Sequence, residues 1–212
     1  MKVLVACEYS GVVRDAFIEK GHEAISCDLL PSESDLGKHY QGDVTDILYD
    51  GWDMMIAHPP CTYLTVTGAR WYYHPEDKEL PYEERRPHPM HPNRRELQQE
   101  ALDFVQLLMN APINKIAVEN PVSVISTKIQ KPTQIIQPYE YGHKTTKTTC
   151  LWLKNLQPLK PTNIVEPEWV YTKNRRWSKF YYETYKLPNE EKTKARSKTF
   201  DGIAKAMAVQ WG

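Results

Sequence analysis

The chain carries no net charge, with 27 lysines and arginines against 27 aspartates and glutamates. That balance argues against a protein built to coat nucleic acid, although a basic face can sit inside a neutral total. No apolar run approaches the roughly 18 residues a membrane span needs, and the mean hydropathy is −0.62. The opening run Met1–Ala6 is short and ends at Cys7-Glu8, without the pattern of a secretory signal. A cytoplasmic protein with no membrane partner is the expectation. The four cysteines, Cys7, Cys27, Cys61 and Cys150, are widely spaced and form no C-x-x-C pair. Zinc knuckles and disulfide frameworks need closer or paired spacing, so no metal site is expected and four free thiols are.

What is present reads as a folded domain. The composition is 41% hydrophobic and 25% charged, too apolar for a disordered chain. Its 212 residues suit one domain over 1–212. Lys2–Cys7 is a β-branched apolar run that predicts a buried strand. Val12–Lys20 has amphipathic helical spacing, with Val12, Val13, Ala16 and Phe17 on one side and Gly21 as a stop. Glu23–Asp28 predicts a second strand, then a polar stretch runs to Gln41. Asp53–Ala57 predicts a third strand, broken by His58-Pro59-Pro60. This alternation opens an α/β fold with a mostly parallel sheet, Rossmann-like in order. Such sheets bind ligands beyond the carboxyl ends of their strands, where Glu8, Asp28, Asp43 and Cys61 would gather.

From Thr65 to Asn93, five prolines and many aromatics and charges predict a long exposed loop, and loops of that length are usually functional. Arg94–Met109 predicts a helix with Leu97, Ala101, Phe104, Val105 and Leu108 as its apolar face. Lys115–Val118 predicts a strand leading into Glu119-Asn120-Pro121, Thr149–Leu153 another strand, and Gly202–Gln210 a closing helix. Residues 154–195 break this rhythm as a small insertion. From Tyr171 to Lys198, nine basic residues stand against three acids, among them Arg175 and Arg176, interleaved with aromatics such as Trp177 and Tyr181. Basic and aromatic side chains together suit phosphate and base contacts. A solvated face over an aromatic minicore fits the same composition.

Two blocks carry chemistry: His58-Pro59-Pro60-Cys61 after one strand and Glu119-Asn120-Pro121 after another. A cysteine held by a rigid Pro-Pro at a strand end is well placed as a nucleophile once its thiolate is stabilised. Singly, each block reads as structural. In this order, with a helix between them, they resemble the DNA cytosine-5 methyltransferases. The first loop Cys7-Glu8-Tyr9-Ser10-Gly11 resembles that family's glycine-containing loop, and Asp28 and Asp43 its two cofactor acids. Lys144–Thr149 resembles its polar strand block, and Arg196–Ala208 its final helix block. The first loop keeps only Gly11 of the family's glycines, and His58 and Thr62 flank the prolines and cysteine where glycine and glutamine are common. Lys144, Thr146, Lys147 and Thr148 stand where the family has base- and phosphate-holding arginines. Residues 154–195 occupy the interval of the family's target-recognition domain and are far shorter.

The resemblance implies an S-adenosylmethionine-dependent transfer of methyl to C5 of cytosine through a covalent Cys61–C6 adduct. Cys61 is then the nucleophile, Glu119 the acid at N3, and Asn120 orders the loop. Cofactor contacts fall to Cys7, Glu8, Tyr9, Ser10, Gly11, Asp28, Leu29, Asp43, Pro59, Pro60, Ser197 and Thr199. Substrate contacts fall to His58, Thr62, Lys144, Lys147, Arg175 and Arg176. The partner is DNA, or a free cytosine nucleotide if no recognition region is needed; a protein partner is not indicated. Compact members of this kind resemble those carried by bacteriophages. Two other readings remain. His58-Pro59-Pro60 is similar to the Asp/Asn-Pro-Pro-aromatic motif of amino-group methyltransferases, but Cys61 is not aromatic. The thinned first loop would also suit an inactive nucleic-acid-binding relative.

Overall fold

The computed structural model describes residues 1–212. Strand β1 (Lys2–Ala6) leads into helix α1 (Val12–Glu19), β2 (Glu23–Asp28), β3 (Lys38–Gln41) and β4 (Met54–Ala57). Short 3-10 turns follow before helix α2 (Arg94–Met109) and β5 (Lys115–Pro121). Then come α3 (Ile125–Lys128), β6 (Gln134–Ile136), β7 (Thr149–Lys154) and a hairpin of β8 (Trp169–Tyr171) and β9 (Arg176–Ser178). Helices α4 (Lys179–Tyr185), α5 (Asn189–Ser197) and α6 (Asp201–Trp211) close the chain.

Seven strands form one sheet in the order β3-β2-β1-β4-β5-β7-β6. Strands β3, β2, β1, β4 and β5 are parallel, and β7 runs antiparallel between β5 and β6. This is a Rossmann-like α/β topology with one antiparallel strand next to the edge. The continuous apolar runs of β1 and β4 follow from burial on both faces, as a central parallel strand requires. Two cores of 19 buried residues each lie on opposite faces of the sheet, so neither face is left to solvent. One packs α1 and α6 against Val3, Val5 and Ile56; the other packs α2 against Leu4, Met55 and Val118.

Helix α2 and strand β2 have the expected bounds, and α1 ends one residue early. Two strands escape the hydrophobic pattern. Lys38–Gln41 is polar and at most half-buried because it is an edge strand, and β6 is only three residues long. The strand expected at Asp53 starts at Met54, and β5 continues through Glu119-Asn120-Pro121, which therefore lie within the strand. The 65–93 segment is not uniformly exposed. It is pinned by buried Tyr72, Asp77 and His88, with Asp77 accepting from the Arg86 backbone N–H at 2.8 Å and from its guanidinium. The 154–195 segment folds as the β8–β9 hairpin and α4, with α5 running on to Ser197.

Candidate active site

Parallel strands that share a register deliver their last residues to one rim. Ala57 of β4 pairs with Val118 of β5, so the next residues, His58 and Glu119, emerge side by side. His58 Nδ1 lies 3.0 Å from Glu119 Oε2. Asn120, fully buried, donates from Nδ2 to the Pro59 carbonyl at 2.9 Å and so ties the Pro-Pro turn to β5. Cys61 follows at the rim, where the residue is exposed. Protein atoms around the thiol desolvate it and, with the Glu119 charge, push its pKa up, while Lys147 pulls it down. For Glu119, burial works against the charge, but the His58 bond and the Lys147 charge outweigh it and hold the carboxyl below its ordinary range. Cys61, Glu119, His58 and Lys147 thus form one electrostatic cluster. Two buried polar atoms here, His58 Nε2 and Asn120 Oδ1, have no partner, and the same is true of Arg94 Nε, Ser123 Oγ and Tyr141 Oη elsewhere; such groups are uncommon in folded proteins.

Beside the cluster lies a two-part groove. A cavity of about 310 Å³ is lined by Cys7, Glu8, Tyr9, Ser10, His58 and Cys61 on one side and by Ser197, Lys198 and Thr199 on the other. A second, of about 180 Å³, is an apolar slot between Leu29, Val44, Pro60 and Phe104 with Asp43 at its edge. Both are bordered by Cys7, Asp28 and Pro60, so they are contiguous. Asp28 spends one oxygen on the Leu30 N–H at 2.9 Å and keeps the other. Asp43 caps a 3-10 turn through Thr45, which holds its carboxyl ionised below the usual range. An apolar slot with a carboxylate at its edge, a second carboxylate at the junction and a polar chamber suits adenine, ribose and an amino-acid moiety in turn. The residues therefore fit S-adenosylmethionine.

Several expected contacts play other parts. The Glu8 carboxylate accepts from the Val13 and Arg14 backbone N–H groups, 2.7 and 3.2 Å away, so it caps α1 and shapes the loop although the residue lines the groove. Gly11 is absent from both cavities. It enters α1 at φ 75°, and a Cβ there would meet the buried Arg14 guanidinium at 2.6 Å, so this turn requires glycine. Pro59 is turned inward, and only its carbonyl is used. Lys144 is drawn away to Glu168, 3.4 Å distant, whereas Lys147 faces the cluster. Arg175 and Arg176 stack on Trp177 and Trp169, 3.3 and 3.9 Å from the ring centres, and are exposed on the hairpin. Thr62 lines the polar chamber.

No family model matches the chain, and no curated protein does. Among solved structures, one designated a DNA modification methyltransferase encoded within a prophage (E. coli) aligns at 14% identity and TM-score 0.45. It spans 92% of this chain and 69% of its own. WbdD, solved with a kinase inhibitor, aligns at 11% identity and TM-score 0.38, with 92% of this chain on 47% of that one.

Reading the sequence missed Phe104, Val44 and Lys198 in the groove. Phe104 sits on the apolar stripe of α2, and periodicity alone cannot tell a core contact from a groove wall. Arg14, wholly buried and bonded to Ser26, Ser32 and the Ser34 carbonyl, also went unnoticed. It braces the loop after β2, and Glu33 of that loop pairs with Lys198 across the groove. Tyr9 Oη meets Ser197 Oγ at 3.0 Å, a second tie between the first loop and the α5 end.

Proposed function

We propose that this chain is an S-adenosylmethionine-dependent cytosine C5-methyltransferase acting on DNA. The observation that carries the reading is the pairing of His58 with Glu119 at the ends of β4 and β5, which sets the Glu119 charge on the Cys61 thiol beside a groove with adenine, ribose and amino-acid features. S-adenosylmethionine, when bound, supplies an electrophilic methyl group. Asp28 would hold the ribose hydroxyls, Asp43 the adenine edge, and Leu29, Val44, Pro60 and Phe104 its faces. Cytosine C5 is too weak a nucleophile to take that methyl unaided. Addition of the Cys61 thiolate to C6 turns the ring into an enamine with electron density at C5. Glu119 places a proton on N3 and so stabilises the adduct. Lys147 favours the thiolate and stands in for the family's arginines.

The target base would have to leave its stack to reach Cys61, and the exposed Arg175–Trp177 and Arg176–Trp169 pairs offer charge and ring faces to the strand around it. The shortness of the recognition interval favours a second reading, in which the acceptor is a free cytosine nucleotide. Both are tested by incubating the protein with methyl-labelled S-adenosylmethionine and duplex DNA or, separately, dCMP and dCTP, then identifying products by mass spectrometry. 5-Methylcytosine in the DNA arm is the expected result. Label only in free nucleotide selects the second reading, and no label in either arm removes both.

A further inference from the structure

Glu119 is ionised at rest, yet the reaction needs a proton delivered to N3. The neighbouring groups resolve this. Oε2 is fixed by His58 at 3.0 Å, with the two side chains 9% and 14% exposed. A carboxylate only accepts, so Nδ1 must carry the hydrogen of this bond. Oε1 is not engaged by His58. His58 and Cys61, three residues apart, line the same chamber, and the Glu119 charge reaches the Cys61 thiol.

Building on the C5 reading above, we propose that His58 is the positioning residue that makes Glu119 a proton carrier between Cys61 and N3. The Nδ1–H bond clamps Oε2 and keeps the carboxylate charged and oriented, leaving Oε1 to take the thiol proton. The step balances internally. The S–H bond breaks as S–C6 forms, the C5=C6 electron pair moves into the ring toward N3, and Glu119 passes the proton to N3. No outside acid or base is consumed. Glu119 leaves the step as it entered, a carboxylate stabilised by His58.

Other groups facing Glu119 do not supply this. Lys147, from the segment before β7, also lowers the carboxyl pKa but makes no hydrogen bond to it. Cys150 on β7 and Tyr181 on α4 both have raised pKa values, partly from the Glu119 charge, and stay neutral near pH 7. His58 alone joins charge control to fixed geometry.

The test compares wild type with His58→Leu, which removes the donor, and His58→Asn, whose amide nitrogen falls close to the position of Nδ1. His58→Ala serves as a second removal variant should leucine prevent folding. Two readouts are taken on the whole chain. The first is the pH profile of methyl transfer to DNA; the second is the ¹³C titration of the Glu119 carboxyl without substrate, assigned by its loss in Glu119→Gln. On removal of the donor, burial raises the carboxyl pKa, so the NMR titration and the acidic limb of the rate both move to higher pH. The turnover number falls about 10²-fold, KM changes little, and His58→Asn restores both readouts. A Glu119 titration unchanged in His58→Leu and His58→Ala, or a His58→Asn variant no better than they are, overturns the proposal. A titration that moves in the donor-removal variants, with a wild-type protein that methylates no cytosine substrate, leaves the His58–Glu119 link standing and removes the C5 reading instead.

Discussion

At Cys61 the thiol answers to opposing neighbours: desolvation and the Glu119 charge favour the S–H form, and Lys147 favours the thiolate. In the proposed reaction Lys147 is the neighbouring charge that eases loss of the thiol proton. Lys147→Met should therefore shift the rise of the rate with pH to more alkaline values and slow transfer near pH 7. A pH–rate profile of that variant checks it; an unmoved profile would place Lys147 outside the chemistry. Cys61→Ser removes the proposed nucleophile by a one-atom change at the edge of the polar chamber and leaves the apolar slot lined by Asp28, Asp43 and Phe104 intact. Methyl transfer should vanish while S-adenosylmethionine still binds, as calorimetry would register, and transfer at the wild-type rate would rule out the covalent route.

Among the elements, the 65–93 segment is held in part by one buried carboxylate. Arg86 bonds Asp77 through both backbone and guanidinium, and these bonds hold its pKa down to about 2. An unfolded aspartate titrates near 3.9. The pair's contribution to stability is thus fully present above about pH 4 and is lost as pH falls toward 2. Asp77→Asn removes this acid-dependent step and leaves the Arg86 guanidinium without its buried partner. Hydrogen exchange across 72–93 should then be several-fold faster at pH 7, with β1 and β4 unaffected; unchanged exchange would mean the turns hold without the pair. None of this could be read from composition, which marks the segment as proline-rich and polar. The helices were legible because their periodicity is strong. Strand β3 was not, because an edge strand needs no apolar face, and Lys38–Gln41 has none.

For the molecule as a whole, the order of strand-end residues was enough to foresee a common rim, since parallel strands point their carboxyl ends one way. What the chain order does not encode is lateral register. The β4–β5 pairing that sets Ala57 against Val118 is what brings His58 to Glu119, and Lys144 parts from Lys147 only because Glu168 draws it onto the hairpin side. The same division applies to charge. A net of zero conceals a hairpin and helix pair in which nine basic residues face three acids from Tyr171 to Lys198. Thr145 Oγ1 meets Ser178 Oγ at 2.6 Å, so this face is anchored to the segment that carries Lys147. If it grips DNA, the grip is largely counterion release, and each phosphate contact contributes a slope of about −0.9 in log K against log salt. Reversing Arg175 and Arg176 to glutamate should weaken duplex binding and flatten that slope by about 0.9 for each arginine that holds a phosphate. Binding of S-adenosylmethionine should be unchanged, since neither arginine lines the groove. Fluorescence anisotropy over a salt series measures the slope. A double variant with wild-type slope and affinity would free residues 154–195 from any role in DNA binding and move the acceptor to the free nucleotide.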